Sequence, residues 1–194
     1  MENDNIYAAP EADLEPEFTD TPEFFVVGTR KLAIMGISTL GLYYVYFFYK
    51  QWTCLKSSQN LRAMPAMRAV FSFFFARSLS RHVLTAAESK NLTHSSNPTL
   101  WADVYLGVFI GIFVLNVALG AMGSVVPASL SLLGTLGSLA SQAVFANSIQ
   151  IIANLVVGDP DGEANNSISI ANVFFILLGI LLWISNISGL LLAS

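Results

Sequence analysis

Every lysine and arginine of this chain, nine in all, lies between Arg30 and Lys90, and residues 91–194 contain none. A soluble domain scatters both signs of charge over its surface, so a cation-free half must be kept from water in another way. That half holds only four acids, Asp103, Asp159, Asp161 and Glu163, among three long apolar runs. The pattern predicts an all-α integral membrane protein whose basic residues stay on one face of the bilayer. Charged residues make up 11% of the chain, against about 25% in ordinary soluble domains.

The charge is also segregated at the start. Residues 1–23 hold eight acids and no base, whereas residues 24–99 hold nine bases and one acid, Glu88. The acidic opening, interrupted by Pro10, Pro16 and Pro22, is unlike the basic start of a cleavable signal. It predicts a disordered tail over residues 1–29, followed by one helical membrane domain over 30–194. The single cysteine, Cys54, leaves no internal disulfide.

The first apolar run, residues 32–49, lies between Arg30-Lys31 and Lys50. It would rise about 27 Å as a helix, enough to cross a bilayer core. Its second half, from Tyr43 to Tyr49, reads as an interfacial aromatic belt. Gly36 and Gly41 leave open a hairpin that dips in and returns. Residues 61–84 cannot span, because Arg68, Arg77 and Arg81 would each cost about 2.5–3.5 kcal/mol at the membrane centre. On a helical wheel Met64, Met67, Phe71, Phe74 and Phe75 share one face. Arg62, Arg77 and Arg81 fall opposite, with Arg68 at the margin. An in-plane amphipathic helix is expected there, its four arginines among anionic lipid headgroups, with a partner-protein helix as the competing reading.

Three further spans are predicted over residues 100–122, 128–146 and 168–192, the second continued by a weaker helix to Val157. Gly107 and Gly111, and then Gly134 and Gly137, are expected to let helices approach closely. Four spans put both termini on one side. The positive-inside rule then places residues 50–99 in the cytoplasm and both termini outside. A hairpin at 32–49 would bring the acidic tail to the cytoplasmic side as well.

Membrane enzymes need ionisable groups at the reacting centre, and the expected spans contain no Glu, Lys, Arg or His. Asp103 is expected to favour a helix N-terminus through the dipole. No HExxH, GxSxG, P-loop or EF-hand pattern is present, and His82 and His94 have no carboxylate or cysteine at ligand spacing. No catalytic residue, metal or cofactor is therefore expected. Intramembrane amides remain: Asn116, Asn172 and Asn186, with Gln142, Gln150 and Asn154 near the inner interface, of which Gln150 and Asn154 share a helix face. Interhelical hydrogen bonding, about 0.6 kcal/mol per bond, is the plain role for such groups. The expected function is that of a small polytopic membrane protein without catalytic machinery, an interaction, scaffold or immunity-type partner of another membrane protein. The alternative is a channel or transporter for a small solute, lined by Asn and Gln side chains. A lipid-acting enzyme, with Asp103 and the interfacial arginines on a headgroup, lacks an acid/base pair. Expected partners are anionic lipids and another membrane protein or a second copy of the chain, with no nucleic acid.

The run Thr39-Leu40-Gly41-Leu42-Tyr43-Tyr44-Val45-Tyr46-Phe47-Phe48-Tyr49-Lys50-Gln51-Trp52 resembles the "TLGxYxxYWxYxxW" signature of small uncharacterised bacterial inner-membrane proteins, a domain-of-unknown-function group. Pro65, Arg68 and Phe71 resemble its "PxxRAxF" segment, and Gln150 with Asn154 its "QxxxN" segment. Asn172, Gly179, Trp183 and Gly189 resemble its closing helix, and Asn5-Ile6-Tyr7-Ala8-Ala9-Pro10 is similar to its "NPYAAP" opening. Phe47 stands where the signature has Trp, and Ile151 where a basic residue usually follows the Gln. The resemblance implies a bacterial inner-membrane location and no particular reaction.

Overall fold

The computed structural model describes residues 22–192, and those residues form helices joined by short turns, with no strand among them. Three helices are long and apolar enough to cross a membrane. They are α5 (Pro98–Ala121), α6 (Ala128–Val157) and α7 (Ile170–Leu192). Asn97 begins α5 by accepting the Leu100 N–H at 3.1 Å, and Pro98 fills the first helical position, where no amide hydrogen is needed. The third expected span and its weaker continuation are one uninterrupted helix of 30 residues, about 45 Å long. That helix is the centre of the molecule. It packs against α5, against α7 and against every long helix that precedes them.

The first apolar run is not one continuous helix. The helix expected over 32–49 is instead two helices, α1 (Thr29–Ser38) and α2 (Leu42–Ser58), joined by a tight reversal. The Gly41 N–H bonds the Gly36 carbonyl at 2.8 Å and the Leu40 N–H bonds Ile37 at 3.2 Å, the paired closure of a Schellman end. Leu40 (φ 52°) and Gly41 (φ 87°) are both left-handed, a conformation that glycine alone takes without cost. Thr39 ties the two helices together: its hydroxyl donates to Met35 O at 2.7 Å and accepts the Tyr43 N–H at 3.0 Å. A straight helix would hold Gly36 and Tyr44 about 12 Å apart. Here the Tyr44 ring lies against Gly36 so closely that a Cβ there would collide with it. The reversal lies beside Leu139 and Gln142, about halfway along α6, so the hairpin reaches the middle of the bundle and returns.

This return differs from the single straight helix expected over 32–49 and matches the hairpin that Gly36 and Gly41 left open. Residues 24–28 lie at the same end of the molecule as residues 50–99, not at the opposite one. The contacts that fix this are Gly28 N–H to Asn165 O, Lys90 Nζ to Val156 O at 2.7 Å, and Ser96 Oγ to Ser148 O at 3.1 Å. Nor do residues 24–28 belong to a disordered tail, since Phe24 and Val27 are fully buried. Residues 1–21 of that expected tail lie outside the described residues.

Residues 61–84 are likewise not one helix. A short α3 (Pro65–Val70) and a longer α4 (Ser72–Ser89) meet at a break at Phe71. The α4 positions Ala76, Leu79, Val83 and Ala87, spaced at helical period, are buried where α4 packs on α5 and α6. Met64, Met67, Phe71 and Phe74 remain exposed, while Phe75 is half-buried edge-on to Trp52. The core lies toward this end, where Tyr44, Phe47, Phe48 and Trp52 of α2 meet Phe145, Ile149 and Ile152 of α6. Above it, α5 and α7 leave almost their whole surface unburied.

Candidate functional site

The non-helical segment 24–28 has carbonyls that no helix or strand can satisfy, and it sits against the buried end of α6. Such backbone is tolerated at depth only where protein groups supply the missing partners. Three fully buried amides do so. Gln51 donates to Phe25 O at 3.1 Å and accepts the Phe25 N–H at 3.2 Å. Gln150 also donates to Phe25 O, at 3.0 Å, and Asn154 donates to Val27 O at 3.1 Å. The side chains are linked in turn, Gln51 Nε2 to Gln150 Oε1 at 2.8 Å and Gln150 Nε2 to Asn154 Oδ1. From the loop after α6, Asn165 completes the set by donating to Val26 O at 3.0 Å. A lone charged group here would need compensation, whereas neutral amides offer donors and an acceptor each. Gln150 and Asn154 therefore do share a face, and that face clamps a backbone segment.

A second polar chain crosses the core above the clamp. Ser72 Oγ and Tyr105 OH lie 2.9 Å apart, and Gln142 Nε2 donates to Tyr105 OH at 3.1 Å. At the tip of the hairpin, Trp183 Nε1 donates to Ile37 O at 2.9 Å, a second bond to the carbonyl that already accepts the Leu40 N–H. Beside it Gly179 brings α7 against Ser38 and Thr39, where a Cβ would collide with the Ser38 carbonyl.

Two clefts flank α7. One, about 650 Å³, runs between the hairpin and α7 from Lys31 to Leu182. The other, about 760 Å³, lies beyond the hairpin tip between α5, α6 and α7, with Asn116, Asn186, Gly111, Gly134 and Gly137 in its walls. No helix among the described residues fills the second cleft, because α7 packs on α1 and α6 but not on α5. Asn186 Oδ1 is buried there with no hydrogen-bond partner among the described residues.

The amides expected to act within the membrane thus divide. Gln150 and Asn154 meet in the clamp. Asn116 donates back to Ile112 O of its own helix at 2.8 Å. Asn172 is a helix cap: its Oδ1 accepts the Ser169 N–H at 3.0 Å while its own N–H reaches Ser169 Oγ. The glycines expected at helix contacts are open instead. Nothing lies within 4 Å of a Cβ at Gly107, Gly111 or Gly137, and at Gly134 only Ile112 does, at 3.9 Å. The close approaches are at Gly28, Gly36, Gly41, Gly162 and Gly179.

The arginines also divide. Arg77 forms a two-point ion pair with Asp103, at 2.6 and 2.8 Å, which gives Asp103 a definite partner beyond the helix dipole. The pair holds the Arg77 guanidinium above its usual range. Arg68 stacks over Trp52, 4.3 Å from the ring centroid. Arg62 and Arg81 are exposed. His82 packs edge-on to Trp52, and burial, with Arg68 nearby, lowers its pKa. His94 Nδ1 lies 2.9 Å from Ser96 O.

Sequence reasoning missed Gln51, Asn165 and Lys31. The Gln51–Gln150 contact joins residues far apart in the chain, so no local spacing signals it. Comparison with protein-family models, with curated proteins and with solved structures finds no match to this chain.

Proposed function

We propose that the chain is a non-catalytic protein of the bacterial inner membrane that binds a transmembrane helix of another membrane protein. The supporting observation is the unfilled cleft between α5, α6 and α7. It is lined by small residues and amides, and Asn186 in its wall has an Oδ1 with no donor among the described residues, an oxygen that a turn of the amide would offer to a partner in the cleft. Lipid acyl chains fill apolar gaps but donate no hydrogen bond. A helix bearing a Ser, Thr, Asn or Gln fills the gap and supplies the donor, and Gly111, Gly134 and Gly137 let its backbone approach. The solute-path alternative gains less support, since Gln150 and Asn154 are committed to the backbone of residues 24–28.

In this reading α5, α6 and α7 span, the α1–α2 hairpin is re-entrant, and the basic end faces the cytoplasm. The exposed Met64, Met67, Phe71 and Phe74 then rest in the interface, with Arg62 and Arg81 among anionic headgroups. A photo-crosslinking residue at Leu133, in the cleft, should yield an adduct of defined mass above 21.0 kDa in intact cells. The same probe at Phe174, on the outer face of α7, should not. Asn186→Leu should abolish the adduct. Equal labelling at both positions, or none, would count against the proposal, and an adduct of twice the chain mass would replace the foreign partner by a second copy.

A further inference from the structure

The cleft between the hairpin and α7 carries its own chemical signature. Lys31, in the first turns of α1, is only 6% exposed, yet no carboxylate among the described residues lies within ion-pairing distance. Its Nζ donates to two neutral oxygens, Asn165 Oδ1 and Ser167 O, both at 2.7 Å. An ammonium has a third N–H, and a buried cation held by neutral acceptors alone lacks the counter-charge that burial demands. The cleft wall at this end also holds Ser169 and Asn172, which are hydrogen-bonding groups. Toward the hairpin tip the lining turns apolar, with Leu42, Tyr46, Phe175 and Leu178. At about 650 Å³, the cleft is within the size range of small-molecule sites.

We propose that this cleft holds one anionic phospholipid, with its phosphate on Lys31 and an acyl chain running toward the hairpin tip. This rests on α5–α7 spanning the bilayer, but not on any partner in the cleft beyond the tip. The polar end then lies at headgroup depth, beside the other basic residues, and the apolar end at the middle of the membrane. The ordering of polar and apolar walls matches that of a lipid in the same leaflet, and the phosphate supplies the missing anion through a charge-assisted hydrogen bond.

The test uses the full chain in nanodiscs of phosphatidylcholine doped with phosphatidylglycerol, with insertion checked by helicity and size before release into native mass spectrometry. One phosphatidylglycerol should stay bound in preference to phosphatidylcholine. Lys31→Gln should reduce that preference about tenfold, and Lys31→Arg should keep it. Leu178→Trp narrows the cleft without touching Lys31 and should eject the lipid, so the proposal stays testable if Lys31→Gln does not fold. Equal retention of both lipids by the inserted wild-type chain would overturn it, as would undiminished preference in Lys31→Gln or in Leu178→Trp. Replacement of the phospholipid by added oleate would transfer the site to a free fatty acid and overturn the phospholipid assignment. Failure to insert at all would instead refute the spanning arrangement.

Discussion

At the residue scale, the molecule depends on amides answering a backbone. Replacing Gln150 by Leu removes two donors and one acceptor from a fully buried cluster. Leaving such groups unmet costs about 1–3 kcal/mol, so Gln150→Leu should melt earlier in detergent than wild type. Asn116→Leu, which breaks only a bond back into its own helix, should change the melting temperature little. Equal losses would mean that the cluster carries no special weight. Trp183→Phe removes a side-chain donor to the hairpin tip and should cost about 0.6–1.7 kcal/mol in the same assay. Part of this is legible in the sequence. Gln150 and Asn154 sit four apart, which is enough to place them on one face. Asn172 is legible as a polar group but not as part of a cap, because its partner Ser169, three residues earlier, falls inside the run expected to span. Nothing in the sequence near Lys31 announces its burial, which depends on a loop more than a hundred residues away.

Elements add a second set of constraints. The run 32–49 has the length and hydropathy of a span, and neither property distinguishes a crossing from a return. What decides is the Thr39-Leu40-Gly41 reversal together with the flat face at Gly36, which accepts the Tyr44 ring. Gly36→Leu should therefore force α1 and α2 apart, and overpacking of this kind costs about 1–3 kcal/mol or more. A cysteine pair across the hairpin, one on each helix, should crosslink readily in wild type and poorly in Gly36→Leu; unchanged crosslinking would refute the contact. The turn after α6 is held differently. Asp159 accepts the Glu163 and Ala164 N–H groups at 2.9 and 3.0 Å, and these bonds hold its carboxyl below its usual pKa of 3.8. A depressed carboxylate stabilises the folded turn above that ordinary value and loses the effect as pH falls through the lower, folded one. Intrinsic amide exchange itself varies with pH, so after that correction protection at Glu163 and Ala164 should be flat from neutral pH down to about pH 4 and fall below it. Asp159→Asn should show no such step.

For the whole molecule, charge placement and backbone path bear on the orientation proposed above. The nine basic residues, the segment 24–28 and the loop between α6 and α7 all gather at one end, while the α5–α6 turn lies at the other. Reporters active only outside the cytoplasm should work at Val125 and after Leu192. They should be silent before Glu23, at Lys90 and at Gly162. Activity before Glu23 alone would restore a crossing by residues 32–49, and activity at Lys90 would invert the protein. The apolar runs of α5, α6 and α7 are readable from hydropathy because each is continuous. Their mutual arrangement is not, since small residues permit close packing without saying which helix arrives.

The clamp on residues 24–28 also sets a timetable. Those residues leave the ribosome early, but the groups that receive them, Gln150, Asn154 and Asn165, are made near the end of synthesis. Gln51 of α2 can serve Phe25 early, but until α6 and its following loop are made the Val26 and Val27 carbonyls lack their partners, and burial in the bilayer would strand them. If α5, α6 and α7 span as proposed above, the hairpin should wait at the surface while α5 and α6 insert, and dock last against the finished wall. A chain halted before Gln150 is added, for example at Ile149, should leave its N-terminal segment through α2 open to protease, whereas one halted beyond Ile170 should shelter it.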